Sequence, residues 1–316
     1  MTVIGVDLGG THVRIVALDR SERIFAQRKI LTAPNRGADQ TIDAILTEIR
    51  AIIAEEGTTD LQAVGIGVTG PVDVTTGIVS NPYTLSGWPP TDLRNPFAES
   101  LGVPVVIDND ANVAAVGEWW RGAGAGSARM TMVTIGTGIG VATLIGGVVQ
   151  RASNGRHGEA GHMVLDPRGP DCYCGAKGCW EVLGSGTSLQ KWAQKLACDS
   201  GSALLELAGG DPRAATTTHL FAGARAGDSA AKLAVDDFAN WLGLGLVNLA
   251  STVMPDMFVL SGGVMAHFDL IEARLIHVLR RHAVMIPTEI AVIAAALGDD
   301  AGAVGAARLA FEQIRL

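Results

Sequence analysis

The chain has 316 residues, of which 48% are hydrophobic and 18% are charged, so it can bury large cores and is not a disordered polypeptide. Its formal net charge is −8 and no run of Lys and Arg occurs, which disfavours a nucleic-acid partner because phosphate neutralisation needs clustered basic side chains. This length exceeds the usual span of a single core, so two domains are expected.

The first residues predict a β-hairpin with a glycine turn. Thr2–Leu8 and Val13–Leu18 are apolar runs typical of buried strands, and Gly9, Gly10 and Thr11 lie between them. Successive backbone N–H groups in such a turn can bind a phosphate, and Asp7 at the strand end could hold the accompanying metal ion. A tight turn that binds nothing explains this segment equally well when it is considered alone.

Isoleucines and one leucine recur at helical spacing between Ile42 and Ile53, which predicts an amphipathic helix ending at Gly57. The apolar run Leu61–Val68 then predicts a strand that leads into the sharp turn Thr69-Gly70-Pro71. The carboxyl ends of strands line ligand crevices in open α/β sheets.

A cluster of short polar residues, from Asp108 to Asn112, follows a strand predicted over Val103–Ile107 and overlaps the start of a helix predicted over Ala111–Arg121. Such residues commonly cap helix N-termini. One helix end has few free N–H groups, so capping does not account for the whole cluster. At least one of Asn109 and Asp110 is therefore expected to act on a ligand.

The stretch from Met130 to Val149 is uncharged and long enough to span a bilayer, yet it contains five glycines. Gly146 and Gly147 have the character of a hairpin turn, so two buried strands are predicted instead. Thr134–Gly140 (TIGTGIG) is a second glycine turn after a strand, which raises the expectation that both turns bind phosphate and that two similar sheets face one another across a nucleotide. With no signal peptide visible, a cytoplasmic location is expected.

Three cysteines, Cys172, Cys174 and Cys179, form a Cys-x-Cys-x4-Cys run whose glycines allow tight turning, and His162 lies ten residues upstream. A Cys3His set suits a tetrahedral Zn²⁺, and a site with four protein ligands is normally structural. The alternatives are a disulfide or unligated thiols, although disulfides belong to oxidising compartments and small secreted domains. Cys198 is interpreted as a buried small apolar residue of a helix and not as a ligand.

The rest of the chain predicts mainly helices, with two further strands and a third glycine turn, Ser261-Gly262-Gly263, against which an adenine could lie. Domain bounds of 1–120 and 121–299 are expected, with a helix over 300–316 returning to the first domain. The elements predicted here are helices Ser188–Ala197, Ala203–Ala208, Ala214–Arg225, Asp228–Val253, Leu270–Arg281 and Asp300–Ile314, and strands Asp256–Leu260 and Ile290–Ala296.

The motifs together resemble those of the ROK family of sugar kinases, of the bacterial glucokinase and N-acetylmannosamine kinase type. The resemblance extends over nearly the whole chain, and the cysteine run combined with Asn-Asp-Ala-Asn is its most specific part. The matching segments are DLGGTHVRIVALD, GIGVTGPVD, VIDNDANVAAVGE, TIGTGIG, GEAGHM, CYCGAKGCWE, VLSGGV and LGDDAGAVGAA.

The resemblance implies an actin-like, ribonuclease H-like α/β fold of two domains, with ATP and a hexose in the cleft between them. It implies Asp110 as the catalytic base, Mg²⁺ with the ATP, and a homodimer or higher oligomer. The implied sugar ligands are Gly70, Asn109, Asp110, Glu159, His162 and Glu181, with His162 also a zinc ligand. The implied ATP contacts are Asp7, Gly9, Gly10, Thr11, Gly136, Thr137, Gly138, Gly140, Gly262 and Gly263.

Three positions depart from the family pattern: His12 replaces a common lysine, Val141 follows Gly140 where a further glycine is usual, and Thr84 replaces an asparagine. The last change bears on the choice of hexose. The expected activity is ATP-dependent phosphorylation of glucose. The alternatives are N-acetylmannosamine, mannose, allose or fructose as substrate, or a sugar-responsive regulator of the same family, which is disfavoured because no DNA-binding module precedes Asp7.

Overall fold

The computed structural model describes residues 1–32, 37–58, 60–81, 84–85, 87–198, 203–282 and 289–315. The strands are β1 Thr2–Leu8, β2 His12–Asp19, β3 Ile24–Leu31, β4 Leu61–Val68, β5 Ile78–Val79, β6 Thr91–Asp92, β7 Val105–Asn109, β8 Arg129–Ile135, β9 Ile139–Ile145, β10 Val148–Val149, β11 Met257–Ser261 and β12 Ala291–Ala294. The helices are α1 Ala38–Glu55, α2 Arg94–Leu101, α3 Asp110–Arg121, α4 Trp180–Gly184, α5 Gly186–Ala197, α6 Ala203–Leu207, α7 Thr217–Ala226, α8 Ser229–Val253, α9 Phe268–Arg281 and α10 Ala301–Arg315.

By its contacts the chain divides into two units, and the α/β class expected from the sequence is confirmed. The first unit comprises residues 1–128, 142–158 and 295–316, and the second comprises 129–141 and 159–294. These units differ from the expected domain bounds at residues 121–128, 142–158 and 295–299.

The first unit contains a five-stranded sheet in the order β3-β2-β1-β4-β7. β1 pairs antiparallel with β2 and parallel with β4, and β4 pairs parallel with β7. Alternate residues of β1 face opposite sides, so Ile4 joins the core formed with α1, whereas Val3 joins the core formed with α10. The sheet is therefore covered on both faces.

Helix α10 approaches the first sheet closely because two strand positions have no side chain. A Cβ atom on Gly5 would lie 2.0 Å from the carbonyl oxygen of Ala303, and one on Gly65 would lie 1.8 Å from that of Ala306. The same helix packs against α3, where a Cβ on Gly305 would lie 1.7 Å from the Val113 carbonyl oxygen. The last helix of the chain is thus an integral part of the first unit.

A buried carboxylate joins α3 to the segment before α10. Glu118 is fully buried, and its two oxygens accept hydrogen bonds from the backbone N–H groups of Ala123 at 2.8 Å, Ala296 at 3.0 Å and Leu297 at 2.7 Å. The backbone N–H groups in these turns have no carbonyl partner within a helix, so they donate to the Glu118 carboxylate instead.

The second sheet has the order β10-β9-β8-β11-β12, so the strand order of the first sheet recurs, as the two similar sheets predicted from the glycine turns require. β11 pairs in parallel with β8 and with β12. The core of the second unit is formed with α5, α7, α8 and α9, and its largest fully buried side chain is Trp180.

The apolar stretch 130–149 forms β8, β9 and β10, and Ile145 pairs with Val148 across the Gly146-Gly147 turn, which confirms the predicted hairpin. Among the helices of the described residues, none combines the length and apolar character that a bilayer span requires.

Several predicted elements need correction. Strand β3 was not predicted, because its exposed and buried positions carry mixed polar residues. Strand β7 extends through Asp108 and Asn109, beyond the predicted strand end at Ile107, because Val68 pairs with Asn109 at the end of the ladder. Helix α7 begins after Thr216 instead of at Ala214, because the Thr216 side chain and His219 form a capping box.

Candidate active site

The N-terminus of α3 presents Asp110. Asn109 is the N-cap, its side-chain oxygen accepting from the Ala111 N–H at 2.9 Å and its amide donating to the Gly70 carbonyl oxygen at 3.1 Å. The Asp110 carboxylate also accepts from the Ala111 N–H at 2.9 Å, and Thr69 supplies a second hydrogen bond. Three of the expected site residues, Gly70, Asn109 and Asp110, therefore lie together.

The electrostatic environment of Asp110 favours its protonated form relative to an ordinary aspartic acid. Burial raises the pKa of Asp110, against the smaller opposing effects of the Ala111 N–H, Thr69, Asn109 and the nearby His157. A carboxylate whose pKa is raised is a stronger proton acceptor once ionised, which is the property that a general base requires.

Asp108 lies near the end of β7 and anchors the backbone that leads into Asp110. It is buried, with 3% of its surface exposed, and forms an ion pair with Arg151. Its other oxygen accepts from the Asn109 N–H at 2.6 Å and from the Asn112 side chain at 2.9 Å. This network fixes the segment that carries Arg151 and His157 against the start of α3.

Asp7 lies at the end of β1 and interacts with other acidic groups. Burial, followed by the negative charges of Asp110 and Asp299, raises the pKa of Asp7 to about 7, although Arg14 opposes this effect. A divalent cation would relieve the repulsion between neighbouring carboxylates, so the residues present fit a Mg²⁺ site at Asp7.

The first glycine turn connects β1 to β2 as predicted. The Gly9 N–H donates to the His12 carbonyl oxygen at 3.1 Å, and the Thr11 carbonyl oxygen accepts from the Thr32 N–H at 3.0 Å. A Cβ on Gly10 would lie 2.4 Å from the Thr84 methyl group, so Thr84, one of the departures from the family pattern, packs directly on this turn.

The second glycine turn lies between β8 and β9 and contacts Glu181. The Ile139 N–H donates to the Glu181 carboxylate at 3.0 Å, and the Gly136 carbonyl oxygen accepts from the Gly186 N–H at 2.9 Å. A Cβ on Gly138 would lie 2.0 Å from the same Glu181 oxygen. Thr137 at the tip is exposed, and Gly140 is the second residue of β9.

The third glycine turn follows β11. Gly262 has a φ of 106°, and a Cβ there would lie 2.0 Å from the Ile135 carbonyl oxygen, so only glycine fits. Gly263 has open space around its Cβ position among the described residues and begins a 3-10 helix ending at His267.

Four potential metal ligands converge in the second unit. One ligand atom from each of His162, Cys172, Cys174 and Cys179 lies within 4.8 Å of every other. The Sγ atoms of Cys174 and Cys179 are 3.6 Å apart, and Cys172 Sγ is 3.6 Å from His162 Nδ1. Sulfurs bound to one tetrahedral Zn²⁺ at ~2.3 Å would be about 3.8 Å apart, close to this spacing.

The chemistry of the four ligands also fits a cation. All four cysteines of the chain are free thiols, and Cys198 is exposed instead of buried as predicted. Burial, together with the neighbouring thiols of Cys174 and Cys172, raises the pKa of Cys179 to about 12. A bound divalent ion would reverse this effect, because a coordinated thiol is deprotonated.

Backbone pairing positions Glu181 next to this Cys3His cluster. The Trp180 N–H donates to the Met163 carbonyl oxygen at 2.7 Å, and the Leu165 N–H donates to that of Gly178 at 2.8 Å. Trp180 is fully buried, so its neighbour Glu181 in the first turn of α4 has a fixed position.

His162 and Glu181 are connected through Tyr173. The Tyr173 hydroxyl lies 3.2 Å from His162 Nε2, and it hydrogen-bonds Glu181. Burial, followed by the Glu181 charge and hydrogen bond and then by Cys172 and Glu159, raises the pKa of Tyr173 to about 12. His162 and Glu181 are thus hydrogen-bond partners of the Tyr173 hydroxyl, and the charge of Glu159 also raises its pKa.

Sequence reasoning missed Thr69, Arg151, His157 and Tyr173 as members of these sites. For Tyr173 a signal existed, because it lies between two expected metal ligands. The other three lie on segments that the fold brings to α3, and no spacing rule applies to them.

Solved structures of known proteins share the overall fold of this chain. A ROK family glucokinase from Streptomyces griseus, solved in complex with glucose and AMPPNP, has a TM-score of 0.80 and 35% identity, with 99% of this chain and 100% of that chain covered. The ROK hexokinase from Thermus thermophilus has a TM-score of 0.82 and 31% identity, with 100% of this chain and 99% of that chain covered. The fold is therefore the expected actin-like one.

Sequence comparisons identify the family to which the chain belongs. The glucokinase of Streptomyces coelicolor is 35% identical, with 98% of this chain and 97% of the relative covered. The profile of the ROK family matches residues 3–313. The chain belongs to the ROK family.

Proposed function

We propose that this protein is a glucokinase, which transfers the γ-phosphoryl group of ATP to the C6 hydroxyl of glucose. The environment of the Asp110 carboxylate carries the proposal. It lies at a helix N-terminus beside Asn109 and Gly70, and its pKa is raised. Likeness over the full chain to a glucokinase solved with glucose and AMPPNP supports the choice of substrates.

In the reaction, the sugar oxygen forms a bond to the γ-phosphorus while the bond from that phosphorus to the β,γ-bridging oxygen breaks, releasing ADP. The hydroxyl proton passes to Asp110. Such transfer depends mainly on positioning and on neutralising charge, with proton removal by a carboxylate as a further contribution.

The ATP phosphates are assigned to the two hairpin turns and the adenosine to the third turn. Backbone N–H groups of glycine turns bind anions without side-chain obstruction. Mg²⁺ bound with the ATP would neutralise phosphate charge, and Asp7 is the side chain assigned to hold it. The residues assigned to ATP are Asp7, Gly9, Gly10, Thr11, Gly136, Thr137, Gly138, Gly140, Gly262 and Gly263.

The sugar is assigned to Gly70, Asn109, Glu159, His162 and Glu181, in addition to Asp110. Carboxylates accept hydrogen bonds from several hydroxyls and so orient a sugar ring. The position of the Tyr173 hydroxyl supports this assignment. It is a hydrogen-bond partner of both His162 and Glu181, and a sugar hydroxyl can form the same hydrogen bonds.

We infer that the Cys3His cluster holds a structural Zn²⁺, since four protein ligands leave no open position on a tetrahedral ion. The cluster spacing and the free thiols support this inference. The ion would keep His162 and Glu181 in place. We further propose a homodimer or higher homo-oligomer, which light scattering on the purified protein tests.

A coupled ADP-release assay tests the function. We expect turnover with ATP to be fastest on glucose among glucose, mannose, N-acetylmannosamine, N-acetylglucosamine, allose and fructose. Polyphosphate in place of ATP tests the phosphoryl donor. Faster turnover on N-acetylmannosamine would change the proposed substrate but not the proposed reaction. No turnover on any hexose would refute the proposal.

A further inference from the structure

Tyr173 lies between Cys172 and Cys174 of the Cys3His cluster, and 71% of its surface is exposed. Despite this exposure its hydroxyl has two polar partners in the second unit. The oxygen is 3.2 Å from His162 Nε2, the ring meets the imidazole edge-on at a centroid distance of 5.1 Å, and the hydroxyl hydrogen-bonds Glu181.

The direction of these hydrogen bonds follows from the chemistry of the partners. His162 Nδ1 is on the cysteine side, 3.6 Å from Cys172 Sγ. An imidazole that uses Nδ1 as a ligand atom carries its proton on Nε2. The Nε2–H then donates to the Tyr173 oxygen, and the Tyr173 O–H donates to the Glu181 carboxylate, which only accepts.

A sugar hydroxyl would make the same pair of hydrogen bonds. Like the phenol, it has one O–H to donate to a carboxylate and lone pairs to accept from an imidazole N–H. Glu181 is also held from the other side, where it accepts from the Ile139 N–H at 3.0 Å. The position between His162 and Glu181 is therefore a preformed hydroxyl subsite.

We propose that the Tyr173 hydroxyl occupies this subsite in the sugar-free protein and that the bound hexose displaces it. Tyr173 is then a specificity-determining residue, because a ligand must replace both hydrogen bonds of the phenol to enter. The displacement breaks no core packing, since the ring is exposed. This inference rests on the proposed function of Glu159, His162 and Glu181 as sugar ligands.

Tyr173→Phe removes the hydroxyl and keeps the ring. We expect it to lower the dissociation constant for glucose about two- to tenfold, the range that corresponds to one net hydrogen bond. The KM for glucose should fall while kcat stays near that of the unaltered protein, because the chemical step does not involve the phenol. Isothermal titration calorimetry without nucleotide and steady-state kinetics measure the two effects.

The matched control is Trp192→Phe, which alters a 41% exposed aromatic residue on α5 and should leave glucose affinity unchanged. Tyr173→Leu, which also removes the ring, should tighten glucose binding in the same direction. Zinc content measured on each variant verifies that the Cys3His cluster is intact.

Unchanged glucose affinity in Tyr173→Phe would overturn the inference, and weaker binding would also do so by showing that the phenol contacts the bound sugar. A crystal structure with glucose provides a second test: the Tyr173 oxygen should lie outside hydrogen-bond distance of His162 Nε2. Failure of the unaltered protein to bind or phosphorylate any hexose would instead reject the proposed function, so the two failures are distinguishable.

Discussion

The Glu181 carboxylate accepts a hydrogen bond from the Ile139 N–H at 3.0 Å, so one side chain connects the start of α4 to the second glycine turn. In the proposed function, Glu181 binds the sugar and this turn binds phosphate. The position of a sugar ligand and the shape of a phosphate turn are thus interdependent within the second unit.

Gly138→Ala tests this relationship. The new Cβ would lie 2.0 Å from the Glu181 oxygen, so the carboxylate must shift. We expect glucose affinity without nucleotide to fall about tenfold, consistent with the usual cost of overpacking. The matched control is Gly136→Ala in the same turn, where a Cβ meets nothing within 4 Å, and calorimetry should give unchanged sugar affinity. Equal effects of the two substitutions would contradict the relationship.

Asp110→Asn should lower kcat about 10²- to 10⁴-fold, because the amide cannot accept the hydroxyl proton. Glucose binding should remain measurable by calorimetry, since the amide oxygen still accepts from the Ala111 N–H. Asp43→Asn, at an exposed position of α1, is the control. Undiminished turnover of the Asp110 variant in the coupled assay would refute the assignment of the base.

Cys172→Ser should reduce bound zinc and weaken glucose affinity together, because His162 and Glu181 lose a common support. Cys198→Ser is the matched control, since Cys198 is exposed and outside the cluster. Metal analysis by mass spectrometry on both variants measures the first effect. A protein purified with no zinc, yet with full glucose affinity, would exclude the structural role of the metal.

Glu118→Gln should destabilise the first unit by about 1–3 kcal/mol, because an NH2 group would then face backbone N–H donors in a buried position. The carboxylate now accepts from Ala123, Ala296 and Leu297. Urea denaturation followed by circular dichroism measures the loss. Glu99→Gln, at an exposed position of α2, should change the free energy of unfolding by less than about 0.5 kcal/mol.

Asp7 should make stability depend on pH in the absence of nucleotide and Mg²⁺. Its pKa is raised from 3.8 to about 7, first by burial and then by Asp110. A raised pKa means that its stabilising contribution is complete below pH 3.8 and is lost as the pH rises through 7. Asp7→Asn cannot ionise, so its Tm relative to the unaltered protein should be higher at pH 8 than at pH 5.

Asp73→Asn provides the contrast in pH dependence. Hydrogen bonds from the backbone N–H groups of Thr76 and Thr75 lower the pKa of Asp73, so its contribution is lost only as the pH falls below the ordinary range of aspartic acid. Its Tm difference from the unaltered protein should be equal at pH 5 and pH 8. An equal difference for Asp7→Asn would contradict the assignment at Asp7.

Much of the fold could be predicted because local patterns and tertiary structure agree. Buried strands such as β1 and β4 are continuous apolar runs, and α1 has a regular apolar face. Strand β3 was missed because it is an edge strand with mixed exposure. Its pairing with β2 outweighs the preference of its local composition. The Cys3His cluster was predictable from spacing because its cysteines are close in sequence.

The environment of Asp110 was only partly predictable. Asn109 and Asp110 are adjacent to a strand end, so a capping argument identifies them. The ion pair of Asp108 with Arg151 and the electrostatic interaction of Asp110 with His157 join residues more than forty positions apart, and their proximity depends on the sheet. Side-chain contacts of this kind follow from three-dimensional packing and leave no periodic signal.

Helix α10 has a consequence for how the protein is made. A ribosome synthesises β1 and β4 long before α10, the helix that covers one face of their sheet. The apolar residues that pack on this helix therefore remain uncovered by it until residues 301–315 have emerged; they are Val3, Val16, Leu18 and Ala63. Exposed apolar strands favour aggregation, so a chain that stops before α10 is expected to leave one face of this sheet open and to aggregate.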